Sequence, residues 1–197
     1  SDDNVVVDSD FTNVTSVHTL QGLTTSDNLT VTLGTLASSS GLTKVDLTDA
    51  GAANTVTLGS GFTENITIDL SSDATSGDTV TATNYTGTVT VTAAGTEVSD
   101  ATAAANANTL TGGASATEIL EITMAADTAV NTSAITKWDQ ITIKSDNDAS
   151  DTATITTADA LVASGATMTI DATHDTTNDP ILTFDGSAEA DGSFVVK

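Results

Sequence analysis

Short runs of β-branched and aliphatic residues recur along this chain, each alternating with threonine or another polar residue. In the N-terminal half they centre on Val6, His18, Val31, Val45, Val56, Ile68, Val80 and Thr90. The usual step between them is about a dozen residues, and the intervening Asp, Asn, Gly and Ser supply turns. A second series covers 118–124, 140–143, 153–156, 168–170, 181–184 and 194–196. Patterns such as Val89-Thr90-Val91 and Ile141-Thr142-Ile143 send one set of side chains inward and leave threonines outside. Threonine suits that surface, because its branching favours strands while its hydroxyl stays wettable.

The two series echo one another. Lys44-Val45-Asp46-Leu47-Thr48-Asp49 precedes Asn54-Thr55-Val56-Thr57-Leu58, and Met168-Thr169-Ile170-Asp171 precedes Pro180-Ile181-Leu182-Thr183. Each echo reads strand, Asp-containing corner, strand. An all-β fold follows, for which two architectures compete. A parallel β-helix or β-solenoid of short strands stacks such units into a narrow core. One or two Ig-like β-sandwich domains would pair similar strands antiparallel. The shortness of the strands, the scarcity of large core side chains and the repetition of the unit favour the solenoid.

The rhythm divides the chain into an N-terminal β-repeat region (1–98), an Ala/Asn/Gly-rich junction (99–117) and a C-terminal β-repeat region (118–197) that continues the same solenoid. Segments 99–108, 125–138 and 157–164 are rich in Ala, Asn and Thr and read as loops or short helical turns. Trp138, the single tryptophan, is expected to seal an end or a corner of a thin core.

Composition narrows the functions. The chain carries 27 acidic and 4 basic residues, a formal net charge of -23. Lys44, Lys137, Lys144 and Lys197 form no basic patch, so nucleic acid and anionic membrane surfaces are excluded as partners. No run is long enough for insertion into a membrane. The absence of cysteine removes disulfides and thiolate metal sites. Such acidity would also favour disorder, but evenly spaced strand formers and a single proline, Pro180, argue for a fold. The function classes that remain are structural or adhesive.

Calcium is the cofactor this chemistry suggests. It takes six to eight oxygen ligands, which corners dense in Asp, Asn and backbone carbonyls provide. Asp146, Asp148 and Asp151 with Asn147 make one candidate cluster; Asp171, Asp175 and Asp179 with Asn178 and Asp185 make another. Asp46 with Asp49, and Asp69 with Asp73 and Asp78, are thinner groups. His18 and His174 are too few for zinc, with His18 expected in or beside a strand at 17–20. The five glutamates, Glu64, Glu97, Glu118, Glu121 and Glu189, occupy no recognisable catalytic context, and no serine elbow or phosphate loop is present, so no enzyme is expected. Asn-x-Ser/Thr sequons begin at Asn13, Asn28, Asn65, Asn84 and Asn131.

The stretch Asn108-Thr109-Leu110-Thr111-Gly112-Gly113-Ala114-Ser115-Ala116-Thr117-Glu118-Ile119-Leu120 resembles the calcium-binding nonapeptide repeats of secreted bacterial RTX proteins. Gly112 and Gly113 hold the paired glycine positions and Ile119 the apolar one; Ser115 replaces a third glycine and Thr117 the ligand aspartate. The wider texture is similar to bacterial surface-layer proteins with a Thr/Ala/Asp-rich β-helix. That resemblance implies export to the cell surface, calcium-dependent folding or assembly, and a homo-oligomer or lattice of identical subunits. The expected function is thus a structural, calcium-stabilised segment of a secreted surface-layer or matrix protein. The alternative is an adhesion or carbohydrate-binding module of a large repetitive adhesin or phage fibre, with a surface polysaccharide as partner.

Overall fold

The computed structural model describes residues 4–22, 28–48, 53–71, 77–98, 108–145, 151–173 and 180–197. Among them the fold is an all-β parallel solenoid of short strands and not an Ig-like sandwich, since every strand pairing is parallel. The first sheet holds six strands in the order β1 (Val5–Val6), β3 (Thr30–Leu33), β5 (Thr55–Leu58), β7 (Thr79–Thr81), β9 (Thr109–Thr111) and β12 (Ile135–Thr136). The second holds eight: β2 (Thr19–Gln21), β4 (Lys44–Asp46), β6 (Ile66–Asp69), β8 (Thr88–Ala94), β10 (Thr117–Met124), β13 (Gln140–Ser145), β15 (Thr167–Asp171) and β17 (Ser193–Val196). A third, β11 (Thr128–Asn131), β14 (Thr152–Thr156) and β16 (Ile181–Asp185), enters only in the later coils.

The dozen-residue rhythm therefore spans half a coil. Chain leaving the second sheet crosses to the first, then returns one coil further along, so Val5 lies beside Thr30 and Thr30 beside Thr55. Stacking in register turns each inward position into a column. Leu20, Val45, Ile68, Val91, Leu120, Ile141, Ile170 and Val196 form one, and Val31, Val56, Val80, Leu110 and Ile135 face it from the first sheet. Most of these side chains are fully buried. Two of the few aromatics fill a corner: Phe62 and Tyr85 pack with ring centroids 6.0 Å apart. The Tyr85 hydroxyl lies 2.5 Å and 3.0 Å from the carbonyls of Glu64 and Thr88. Trp138 is 1% exposed, in the corner role expected of it.

The structure refines the local reading in several places. Segment 125–138 holds strands β11 and β12 rather than a helical turn. Thr128 and Val130 alternate inward and the backbone is claimed by the parallel ladder to β14, which outweighs a weak local propensity. Segment 157–164 is a turn, because the carbonyls of Ala160 and Leu161 accept from Lys137 and Trp138 of the preceding coil and are lost to a helix. His18 is exposed and lies just before β2, with Nδ1 3.1 Å from the Gly41 carbonyl. Finally, an unforeseen helix α1 (Thr35–Ser40) replaces part of a corner. Its N-terminal N–H groups are satisfied from the coil before: Asp8 accepts from Gly34 and Ala37 at 2.9 Å each and from Leu36 at 3.2 Å. Gly41 ends it at φ 89°, a conformation that favours glycine. Of the expected loop at 99–108, only Asn108 lies within the described residues.

The second sheet runs without a break from β8 to β10, where Thr88–Ala94 pairs with the strand starting at Thr117. No helix among the described residues is long and apolar enough to cross a membrane.

Columns of this kind make the cost of a mutation depend on which way a residue faces. Leu120→Ala opens a void between Val91 and Ile141 and is expected to cost about 2–5 kcal/mol. Thr90→Ala, facing outward, should change stability by less than about 0.5 kcal/mol. Urea unfolding followed by circular dichroism measures both, and equal losses would contradict the column account.

Candidate functional site

The chemistry sits at the corners. Aspartate or asparagine closes several strands, and its Oδ1 accepts from the residue two positions on. Asp46 takes the Thr48 hydroxyl at 2.7 Å, Asp69 the Ser71 hydroxyl at 2.7 Å, Asn131 the Ser133 hydroxyl at 2.6 Å and Asp171 the Thr173 hydroxyl at 2.8 Å. Asp185 accepts from the backbone N–H of Ser187 at 3.0 Å. This Asx-x-Ser/Thr corner is a hydrogen-bonded turn, the local device expected of these residue types. Bonds to the charged form hold the carboxyls of Asp46, Asp171 and Asp185 below the usual range, led by Thr48, Thr173 and Ser187 respectively. Burial pushes Asp69 up, but bonds from Ser71, Lys44 and Thr92 together outweigh it and its pKa is lowered.

Register lines these groups up on the outer face of the second sheet: Gln21, Asp46, Asp69, Thr92, Glu121, Thr142 and Asp171 form one column. Three of the four lysines serve it. Lys44 bridges Asp46 at 3.1 Å and Asp69 at 2.9 Å, Lys144 meets Glu121 at 2.7 Å, and Lys197 lies 3.5 Å from Asp171.

A second ladder runs inside the solenoid, at the residues preceding β5, β7 and β9 of the first sheet. Asn54 Oδ1 accepts from the Leu29 N–H at 3.0 Å. Asp78 Oδ1 accepts from the Asn54 N–H at 2.7 Å and from its amide at 3.0 Å. Asn108 Oδ1 accepts from the Asp78 N–H at 2.8 Å. All three are buried, so each coil satisfies a backbone donor of the coil before it. Asp78, read from sequence as a calcium ligand beside Asp69, belongs to this ladder instead.

Of the six predicted calcium ligands, Asp146, Asp148, Asp175 and Asp179 lie outside the described residues. Asp151 is buried at the start of β14, and its carbonyl accepts from Ile181 at 2.9 Å. Asp171 ends β15 with its carboxylate on Thr173 and Lys197. Because β13 pairs with β15 and β14 with β16, the chain passes from the second sheet to the third in two successive coils.

The opposite corner of those coils gathers a group that the sequence reading missed. One carboxylate oxygen from each of Asp159, Glu189 and Asp191 lies within 4.8 Å of the others, an arrangement that could coordinate a metal ion. The same carboxylates also hold the loops: Asp159 accepts from Ala190 at 2.9 Å and Glu189 from Gly192 at 2.9 Å. Asp159 is far in sequence from Glu189 and Asp191 and meets them only through coil stacking, so the one available signal was the repeat length itself.

Glu118 is the other unforeseen carboxyl. It is 0% exposed. Its Oε1 accepts from the Gly113 N–H at 2.7 Å, while Oε2 has no hydrogen-bond partner among the described residues. The paired glycines of the RTX-like stretch make room here. A Cβ at Gly112 would lie 2.0 Å from the Lys137 carbonyl, and one at Gly113 2.9 Å from those of Ala82 and Thr83. Burial, and then the neighbouring Asp139, push Glu118 up to about 7.

Comparison with known proteins returns no matching family model, no matching curated protein and no matching solved structure.

The raised pKa has a definite sign. Folded protein keeps a proton on Glu118 that unfolded chain releases at the ordinary glutamate value, so this group's contribution is complete at low pH and is lost as pH rises through about 7. Glu118→Gln is expected to flatten the fall in melting temperature between about pH 5 and pH 8, and to melt above the parent at the upper limit. Parallel melting curves for the two proteins would show that this carboxyl is not the source.

Proposed function

We infer that the chain is a structural, shape-holding segment of a secreted, self-assembling surface-layer or matrix protein, with calcium as stabilising ion and no catalytic role. The observation that carries this reading is the continuous parallel ladder: eight strands of the second sheet hydrogen-bond coil to coil over one aliphatic core. Such a body keeps its shape by nearest-neighbour stacking and presents long, repetitive faces to neighbouring copies. A net charge of -23 opposes contact between copies, and divalent ions at acidic corners relieve that repulsion. Asp159, Glu189 and Asp191 supply one such corner within the described residues, and the 145–151 and 171–180 corners carry the acidic sequences for others. Export to the cell surface accords with this chemistry, since calcium there is abundant enough for weak, carboxylate-rich sites.

Burial weakens the adhesive alternative. Trp138 and Tyr85 are each 1% exposed, so neither offers a ring for stacking on a polysaccharide.

Calcium titration tests the reading. One ion bound at about a hundredfold excess over its dissociation constant adds about 2.7 kcal/mol, a rise of roughly 5–10 °C in melting temperature for a chain of this size. Light scattering should report association over the same range, and Asp159→Asn with Asp191→Asn should reduce the thermal shift. No change in melting or scattering, or equal effects from magnesium at the same concentration, would overturn the calcium assignment.

A further inference from the structure

The outer face of the first sheet has a different character from that of the second. Thr30, Thr55, Thr79 and Thr109 stand in one column, and Thr32, Thr57, Thr81, Thr111 and Thr136 in the next. Val31, Val56, Val80 and Leu110 lie between the columns, fully buried. Within the six strands of this sheet there is no charged residue, in a chain with 27 acidic ones. The second sheet, built on the same coils, carries Lys44, Asp46, Asp69, Glu118, Glu121, Lys144 and Asp171 in its strands.

Nor are these nine threonines occupied. Among the described residues none of their hydroxyls bonds to protein, whereas those of Thr48, Thr92, Thr132 and Thr173 do. The face is thus a two-dimensional lattice of free hydroxyls and methyls. Its intervals are set by the backbone, about 4.8 Å from coil to coil and about 6.6 Å between alternate residues of a strand. The branched Cβ stiffens each side chain, so little order remains to be imposed on binding.

An occupant of such a face is uncharged, repeats in two dimensions and bonds to hydroxyls. Polyanions meet the repulsion of the whole molecule, cations have carboxylates elsewhere, and a sugar chain finds no aromatic platform in these strands. Water in a crystal meets every condition. Oxygen positions on the prism face of hexagonal ice repeat at intervals close to both of those above, and methyls between hydroxyls hold a first water layer without dissolving it. We propose that this threonine face binds ice, through water ordered on the two columns.

The full chain is tested in calcium-containing buffer by two readouts: the gap between melting and freezing points of a single ice crystal, and partition of the protein into slowly grown ice. The parent should open a measurable gap and enter the ice. Thr57→Lys with Thr81→Tyr should lose most of both effects, and Thr90→Lys on the second sheet should keep them. If the bulky pair disturbs the β-sheet spectrum, Thr57→Ala with Thr81→Ala removes the same hydroxyls without bulk and should give a several-fold loss. Exclusion of the parent from ice, as for an inert protein of equal size, would overturn the proposal. So would face variants that enter ice as well as the parent, or retention on crystalline cellulose or chitin with none in ice. The calcium titration above is independent of this outcome, so either reading can fail alone.

Discussion

Among the described residues every strand finds its hydrogen-bond partner one coil away, in parallel and in register. That constraint governs the rest. A backbone donor or acceptor left unpaired inside the stack costs a few kcal/mol, so the coil cannot slip by one residue. A slip would also turn each aliphatic column outward and each threonine column inward. Once register is fixed, a side chain's closest neighbours are its counterparts in the adjacent coils, and whatever suits one position must suit its column. Val31, Val56, Val80 and Leu110 obey this inside, Thr32, Thr57, Thr81 and Thr111 outside.

The same rule explains how so little aromatic mass supports the fold. A globule needs large side chains to fill a centre remote from its backbone, whereas here the two sheets face each other across a thin layer. Leu, Ile and Val reach across it. Phe62, Tyr85 and Trp138 appear where the chain turns and the layer widens. The polar ladder of Asn54, Asp78 and Asn108 does the matching work for backbone groups at a corner, where the sheet's own pattern lapses.

How far the fold was legible in the sequence depends on whether the signal was local. Alternation and turn residues are local, so most strands, the all-β class and the preference for a solenoid could be read directly. The Ala-rich stretch at 125–138 misled because β11 owes its existence to β14 and β12 to β9, pairings that no local window contains. Helix α1 was hidden for a related reason, since its N-terminal bonds come from Asp8 in the previous coil. Site residues were harder still. The predicted clusters at 146–151 and 171–179 were found by density of acids along the chain, and Asp159 meets Glu189 and Asp191 only across coils. Glu118 gave no signal at all, because nothing in its sequence context marks a carboxyl as buried.

Stacking also dictates where charge can go. Like charges in neighbouring coils stand about 5 Å apart and repel by about 1 kcal/mol in bulk water and about 3 kcal/mol near a protein surface. A column of carboxylates would therefore tear at the ladder that creates it. The outer column of the second sheet avoids this by interleaving: Thr92 separates Asp69 from Glu121, and Thr142 separates Glu121 from Asp171. Only Asp46 and Asp69 are adjacent, and there Lys44 bridges them both. With four basic residues in the chain, such repairs are few, and acids such as Asp159, Glu189 and Asp191 stand in turns instead. The first sheet takes the other solution and excludes charge from its strands altogether. An acidic protein built this way has corners fit for cations and one face fit for a neutral, periodic surface, and both properties descend from a single register.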